Sequence, residues 1–371
     1  MDPGKTSTAT VVTSSAGAEM SALGSSEERE RFNADELAIV LSHFDLGVIE
    51  AIQQYPRGSR RAPKALLRTE KDTYLLKRRA RGKDDPFKVA FCHSLQLYLA
   101  SRQFPLPHLV GTRRDNNSML QWKGAIYEVF EFINGTGYDN SLQATQDAGK
   151  TLGVFHKLAS AYNPEYEPPR GSYHASRGVQ NAMQQVTQTL ERMDPEWETN
   201  GAKIEQVCRF LHTSYNEAAT RANEIGLTDW PMQIIHCDWH PGNMLFRRAR
   251  VVGVIDYDAA RLQQRVIDVA NGALQFSILG GGDDASHWPD CIDEERFKGF
   301  LRGYDGVNVI SKSELRVVPW LMIEALIAES VIPVAATGSF ARMNGVGFML
   351  MIERKVRWLQ EHADDLANLL N

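Results

Sequence analysis

The chain has 371 residues, 43% of them hydrophobic, with a net charge of -5 and a pI near 6.1, enough apolar material for one large or two smaller cores. There is no Lys/Arg surplus of the kind that grips nucleic-acid phosphates, so nucleic acid is excluded as the main partner. The four cysteines, Cys92, Cys208, Cys237 and Cys291, form no C-x-x-C pair, which argues against a disulfide framework or thiolate zinc site and for a reducing, cytoplasmic setting.

Residues 1–30 read as a disordered tail, rich in Ser, Thr, Ala and Gly and without a signal-type apolar core. Asn33 and Glu36 form a capping-box pattern, after which Leu37, Val40, Leu41 and Phe44 recur at helical spacing. An apolar run over 48–55 and a Pro56-Arg57-Gly58-Ser59 break follow. Two short segments, 65–69 and 74–77, then predict an antiparallel hairpin. Asp85-Pro86 opens a helix with Phe87, Phe91, Leu95 and Tyr98 on one face, ended by Pro105 and Pro107. Strands are expected over 118–122 and 125–132. Beyond Ile133-Asn134-Gly135 the pattern changes to long helices, notably 141–161 and 201–223, so a boundary is expected near 132–135. That divides a nucleotide-binding lobe, 31–132, from a helical lobe, 133–371, which contains short β segments over 233–246 and 251–255. The longest apolar stretch, 321–336, is interrupted by Glu324 and Glu329 and falls short of the roughly 20 residues that cross a bilayer; no membrane span is expected.

The chemistry concentrates in His236-Cys237-Asp238-Trp239-His240-Pro241-Gly242-Asn243, which places an Asp and an Asn in a Pro/Gly loop between apolar strands. Soon after, Val254-Ile255 runs into Asp256-Tyr257-Asp258. Phosphoryl transfer requires hard oxygen ligands for magnesium, cations for the phosphates, and an aligned acceptor hydroxyl. Asn243 and Asp256 suit the metal and Asp238 the hydroxyl. Lys77, closing the strand Tyr74-Leu75-Leu76, has the position of the phosphate-binding base, with Arg78 and Arg79 beside it read as solvated. His236 reads as hydrogen-bonding support for the loop, Cys237 and His240 as structural, and Asp258 equally as a ligand-steering group or a loop hydrogen-bonder. The acidic run Asp283, Asp284, Asp290, Asp293, Glu294 and Glu295 reads as a solvated face.

The H-x-D-x-x-x-x-N run, Ile255-Asp256-Tyr257-Asp258, Lys77 and the hinge-like Glu131-Phe132-Ile133-Asn134-Gly135 together resemble the aminoglycoside phosphotransferase, choline kinase and type II homoserine kinase superfamily. The resemblance implies an α+β, protein-kinase-like two-lobed fold, with a small antiparallel-sheet N-lobe and a larger, mainly helical C-lobe. It also implies ATP and Mg2+ in the cleft and transfer to a hydroxyl of a small molecule such as an amino alcohol, a homoserine-like metabolite or an aminoglycoside-like sugar. Asp238 would be the catalytic base or hydroxyl-orienting group, Asn243 and Asp256 the metal ligands, Lys77 the α/β-phosphate contact, and Ser59, Glu131 and Ile133 further nucleotide contacts. Asp268 resembles a family position after the metal loop and is expected in a structural ion pair, with Arg261 and Arg265 as candidate partners.

Cys237 stands where protein kinases carry Arg, and no Ala-Pro-Glu follows Asp256, which favours a small acceptor over a protein. Two departures motivate an alternative, a catalytically degenerate kinase-fold binding or scaffold protein. The first-lobe loop has a single glycine, with Arg60 and Arg61 as added charge. The helix expected to supply a Glu partner for Lys77 has none between Phe87 and Arg102, its inward candidates being His93 and Gln96.

Overall fold

The computed structural model describes residues 29–194, 196–281, 284–341 and 343–369. All but the last two residues of the expected tail lie outside them, as does Asp283 of the acidic run.

Helix α1 (Ala34–Leu41) begins at Asn33, whose side chain accepts from the Glu36 amide at 2.8 Å while Glu36 accepts from the Asn33 amide at 3.4 Å. There follow β1 (Ile49–Gln54), β2 (Lys64–Thr69), β3 (Thr73–Arg78), α2 (Pro86–Ala100), β4 (Leu120–Trp122) and β5 (Ala125–Glu131). The strands form one antiparallel sheet in the order β1-β2-β3-β5-β4. Alternation along each strand sorts its side chains between two faces. Ala65, Leu67, Leu76, Tyr127 and Val129 close a small core with Val40, Leu41, Phe44 and Leu46. Lys64, Lys77 and Glu128 therefore share the other face, as direct register partners across three strands.

Asp85 caps α2 by accepting from the Phe87 and Lys88 amides, with Pro86 in the first turn. The packed face of α2 begins at Val89, so Phe87, expected on it, projects past its edge and is 75% exposed. Phe91, Cys92, Leu95 and Leu99 join the core of the helical lobe. The Cys92 thiol also donates to the carbonyl of Tyr257 at 3.3 Å, tying α2 to the segment that carries Asp256 and Asp258.

The helical lobe contains α3 (Leu142–Ala159), α4 (Arg177–Met193), α5 (Trp197–Ile225), β6 (Met232–Ile235), β7 (Met244–Arg247), β8 (Arg250–Val254), β9 (Arg261–Gln264), α6 (Val266–Ser277), α7 (Glu294–Asp305), α8 (Lys312–Thr337), α9 (Gly345–Glu361) and α10 (Ala363–Asn368). The segment 233–246 thus comprises most of β6, a loop and most of β7. β6 pairs with β9, and β7 with β8, both antiparallel. α3 and α7 approach closely because a Cβ on Gly149 would lie 2.0 Å from the Phe300 carbonyl oxygen, and one on Gly303 2.0 Å from that of Gln146. α8 is long and apolar enough to cross a membrane, yet 78% of its most apolar window is buried in the protein. It is the central helix of this lobe, packed against α4, α5, α6 and α9.

Candidate active site

The loop between β6 and β7 is fixed from below by Asp268, fully buried in the first turn of α6. Its carboxylate accepts from the His236 and Cys237 amides, each at 2.7 Å, and from His156 at 3.1 Å. Burial holds the His156 pKa below its ordinary value against the pull of Asp268, so the neutral ring donates from Nε2 to Asp268 and accepts at Nδ1 from the Tyr304 hydroxyl at 2.9 Å. The ion pair expected for Asp268 is not formed; its carboxylate instead anchors the loop through two backbone amides and a neutral histidine. Arg265 pairs with Glu314 at 2.8 Å, and Arg261 donates to the Ala259 carbonyl. Neither arginine reaches Asp268, because both are already held by groups nearer to them.

Two non-glycine residues in this region take left-handed backbone conformations, Cys237 at φ 61° and Asp256 at φ 63°. Such conformations cost energy and persist where surrounding contacts impose them. At Cys237 the bend lets two successive amides converge on one carboxylate and aims the next side chain, Asp238, outward.

Asp238 Oδ2 accepts from Asn243 Nδ2 at 2.7 Å, and the same amide nitrogen donates to the Asp238 carbonyl at 3.1 Å. Both amide hydrogens being used, Asn243 presents Oδ1 as its remaining polar atom. His240 Nδ1 accepts from the Gly242 amide at 3.0 Å, which puts the neutral ring's proton on Nε2, 3.5 Å from Asp238 Oδ1. Burial pushes the Asp238 carboxyl up, but His240 and Asn243 hold it below the usual range, so it is a carboxylate. The Ile255 amide donates to the Asn243 carbonyl at 2.9 Å, which brings Asp256, exposed in the cleft, next to Asn243. An amide oxygen and a carboxylate on fixed backbone are hard donors that fit Mg2+, an ion that keeps several of its waters.

On the facing sheet Lys77 lies 3.6 Å from Glu128 and 3.7 Å from Asp258. Burial lowers the Lys77 pKa and these carboxylates raise it, with a net upward shift. Arg79 is not solvated as expected. It is buried just past the end of β3, 2.7 Å from Glu128 and 2.9 Å from Asp258, because one carboxylate from β5 and one from the other lobe converge on it. Arg78 likewise pairs with Glu36 at 2.6 Å and Glu30 at 2.5 Å. Glu128 is fully buried; burial pushes its carboxyl up, but Lys77, Arg79 and His93 hold it well below the usual range. His93, on α2, reaches Glu128 at 2.6 Å. The acidic partner for Lys77 absent from α2 is thus supplied by β5 and by Asp258, whose ion pairs with Lys77 and Arg79 were neither of the two roles its sequence suggested.

Of the other expected contacts, Ile133 packs against β8, where a Cβ on Gly253 would lie 2.9 Å from its Cδ1. The Ser59 hydroxyl accepts from the Arg61 amide at 3.2 Å, and the exposed Glu131 side chain pairs with His108 at 3.2 Å; neither joins the Asp238 group. His236 is not a hydrogen-bonding support: neither ring nitrogen has a partner among the described residues, and the ring packs edge-on against Trp239 and Tyr257, where no acceptor is in reach. Sequence reasoning missed Glu128, Lys64 and the role of Glu329. A lone carboxylate inside the apolar strand of Glu128 was the available signal. Burial pushes the Glu329 carboxyl up to about 8, and the charge of the Asp238 carboxylate acts in the same direction.

The family model described as Phosphotransferase enzyme family matches residues 52–311. A homoserine kinase of Rhizobium meliloti (strain 1021) is 23% identical over 291 residues, covering 77% of this chain and 79% of that enzyme. Among solved structures, amicoumacin kinase in complex with AMP-PNP and Ca2+ matches with a TM-score of 0.63 at 14% identity, covering 89% of this chain and 94% of that one. Spectinomycin phosphotransferase in complex with ADP and spectinomycin matches with a TM-score of 0.59 at 14% identity, covering 90% and 99%. At these identities the structural likeness carries the fold, which is the two-lobed kinase-like one.

Proposed function

This chain belongs to the phosphotransferase enzyme family, and we propose that it transfers the terminal phosphoryl group of ATP, with Mg2+, to a hydroxyl of a small molecule. Residues 31–132 form the nucleotide-binding lobe in this reading, and 133–371 carry the catalytic and metal loops. The acceptor oxygen bonds to the terminal phosphorus as the bond to ADP breaks, and the hydroxyl proton passes to Asp238. Asn243 holds Asp238 in one rotamer, and Asn243 Oδ1 and Asp256 would hold the metal, which would supply neutralisation of phosphate charge when bound. Lys77, oriented by Glu128 and Asp258, meets the inner phosphates, and Ile133 and the linker backbone receive the base.

The observation that carries this reading is the 2.7 Å hydrogen bond between Asp238 and Asn243, which aims an ionised carboxylate and a metal-binding oxygen from one loop into one cleft. The scaffold reading loses its main ground, since Lys77 does have acidic partners, the buried Glu128 and the half-buried Asp258. The relatives direct the choice of acceptors to hydroxyl compounds that bear an amine. The test is transfer from labelled ATP to a panel of amino alcohols, homoserine and aminoglycosides, with and without Mg2+. A labelled product dependent on Mg2+ supports the reading; loss of nucleotide binding altogether would return the scaffold to first place.

A further inference from the structure

Lys64 opens β2 directly opposite Lys77, which is directly opposite Glu128. Two cations facing each other on adjacent strands repel. Neither carboxylate of the cluster forms an ion pair with Lys64; Glu128 and Asp258 are each engaged by both Lys77 and Arg79. Among the described residues nothing accepts a hydrogen bond from the half-buried Lys64 ammonium, whose pKa burial and Lys77 lower and Asp256 raises, with a net downward shift. Over it lies the β1–β2 loop. Gly58 has φ 78°, a conformation that favours glycine, and the loop passes so close that a Cβ there would stand 2.6 Å from Lys64 Nζ.

A surplus cation, roofed by a glycine turn and on the sheet face that carries Lys77, is placed for an anion that enters with the metal. Resting on the nucleotide reading above, we propose that Lys64 binds the terminal phosphate of the triphosphate, doing with one ammonium and one glycine what a multi-glycine loop would do with backbone amides. Lys77 is then left to the inner phosphates.

The experiment measures affinities of the full chain for Mg-AMP-PNP and Mg-ADP in wild type, Lys64→Gln and Lys64→Arg, with thermal unfolding of each in the absence of nucleotide. One charge-assisted hydrogen bond predicts a loss of about tenfold or more in AMP-PNP affinity for Lys64→Gln, with ADP changed less than about threefold and Lys64→Arg close to wild type. Without nucleotide, Lys64→Gln should melt no lower than wild type, since it removes a repulsion; a protein in which Lys64 is merely structural would melt lower and bind AMP-PNP as before. If wild type binds both nucleotides and Lys64→Gln binds AMP-PNP equally well, or loses ADP to the same degree, the Lys64 assignment falls while the nucleotide reading stands. If wild type binds neither nucleotide, the nucleotide reading itself falls and the assignment with it.

Discussion

Lys77 on β3 and Glu128 on β5 are register partners whose charged groups lie 3.6 Å apart on the cleft face of the sheet. The lysine is therefore oriented by its own sheet, and α2 reaches it only at second hand, through the 2.6 Å contact of His93 with the same carboxylate. Asp258, two residues after Asp256, completes the set from the other lobe at 3.7 Å, so the ion cluster also joins the two lobes.

Removing one member of such a cluster leaves buried charge uncompensated. Glu128→Gln is expected to cost about 3 kcal/mol or more of stability, the range for breaking a buried ion pair, and to weaken nucleotide binding. Thermal unfolding together with nucleotide titration checks both. A variant that melts like wild type would show that Asp258 alone suffices.

The loop that aims Asp238 hangs on Asp268. Asp268→Ala orphans two backbone amides and the His156 ring, each worth about 1–3 kcal/mol when buried without a partner. Stability should fall by about 3 kcal/mol and turnover should be lost. Asp268→Asn keeps one acceptor oxygen and is expected to retain more of both. Equal behaviour of the two variants in denaturant unfolding would contradict this anchoring role.

Glu329 gives a pH dependence with a definite sign. Burial raises its carboxyl from 4.5 to about 8, so between those values the folded protein keeps a proton that the unfolded chain has released. Stability from this group is full below pH 4.5 and declines as pH rises toward 8. Glu329→Gln, neutral throughout, should match wild type in acid and exceed it by about 1–3 kcal/mol near pH 8. Melting curves of both proteins across pH 5 to 9 decide it, and a variant less stable than wild type at pH 9 would reverse the assignment.

The local signals were legible. Asn33 with Glu36 and Asp85 with Pro86 marked two helix starts, and the Asp238–Asn243 spacing marked the loop that the structure brings together by a hydrogen bond. What failed was non-local. Arg79 read as solvated because nothing in its neighbourhood announces Glu128, 49 residues away, or Asp258. Glu128 becomes a partner of Lys77 only once strand register is known. His236 looked like a hydrogen-bonder by residue type, yet its aromatic surroundings come from Trp239 and Tyr257 folding back over it. Lys64 was passed over for the same reason: only the sheet puts it beside Lys77 and under Gly58.

The central claim is that Asp238 takes part in transfer to an acceptor hydroxyl, and Asp238→Asn is the most direct test. The substitution keeps the shape of the side chain and an oxygen for Asn243 while removing the charge. With an acceptor drawn from the panel, the variant should bind Mg-ATP within about threefold of wild type but transfer phosphate about 10²–10⁴-fold more slowly, the range for losing a positioned acid–base group. Transfer at the wild-type rate by Asp238→Asn would contradict the account.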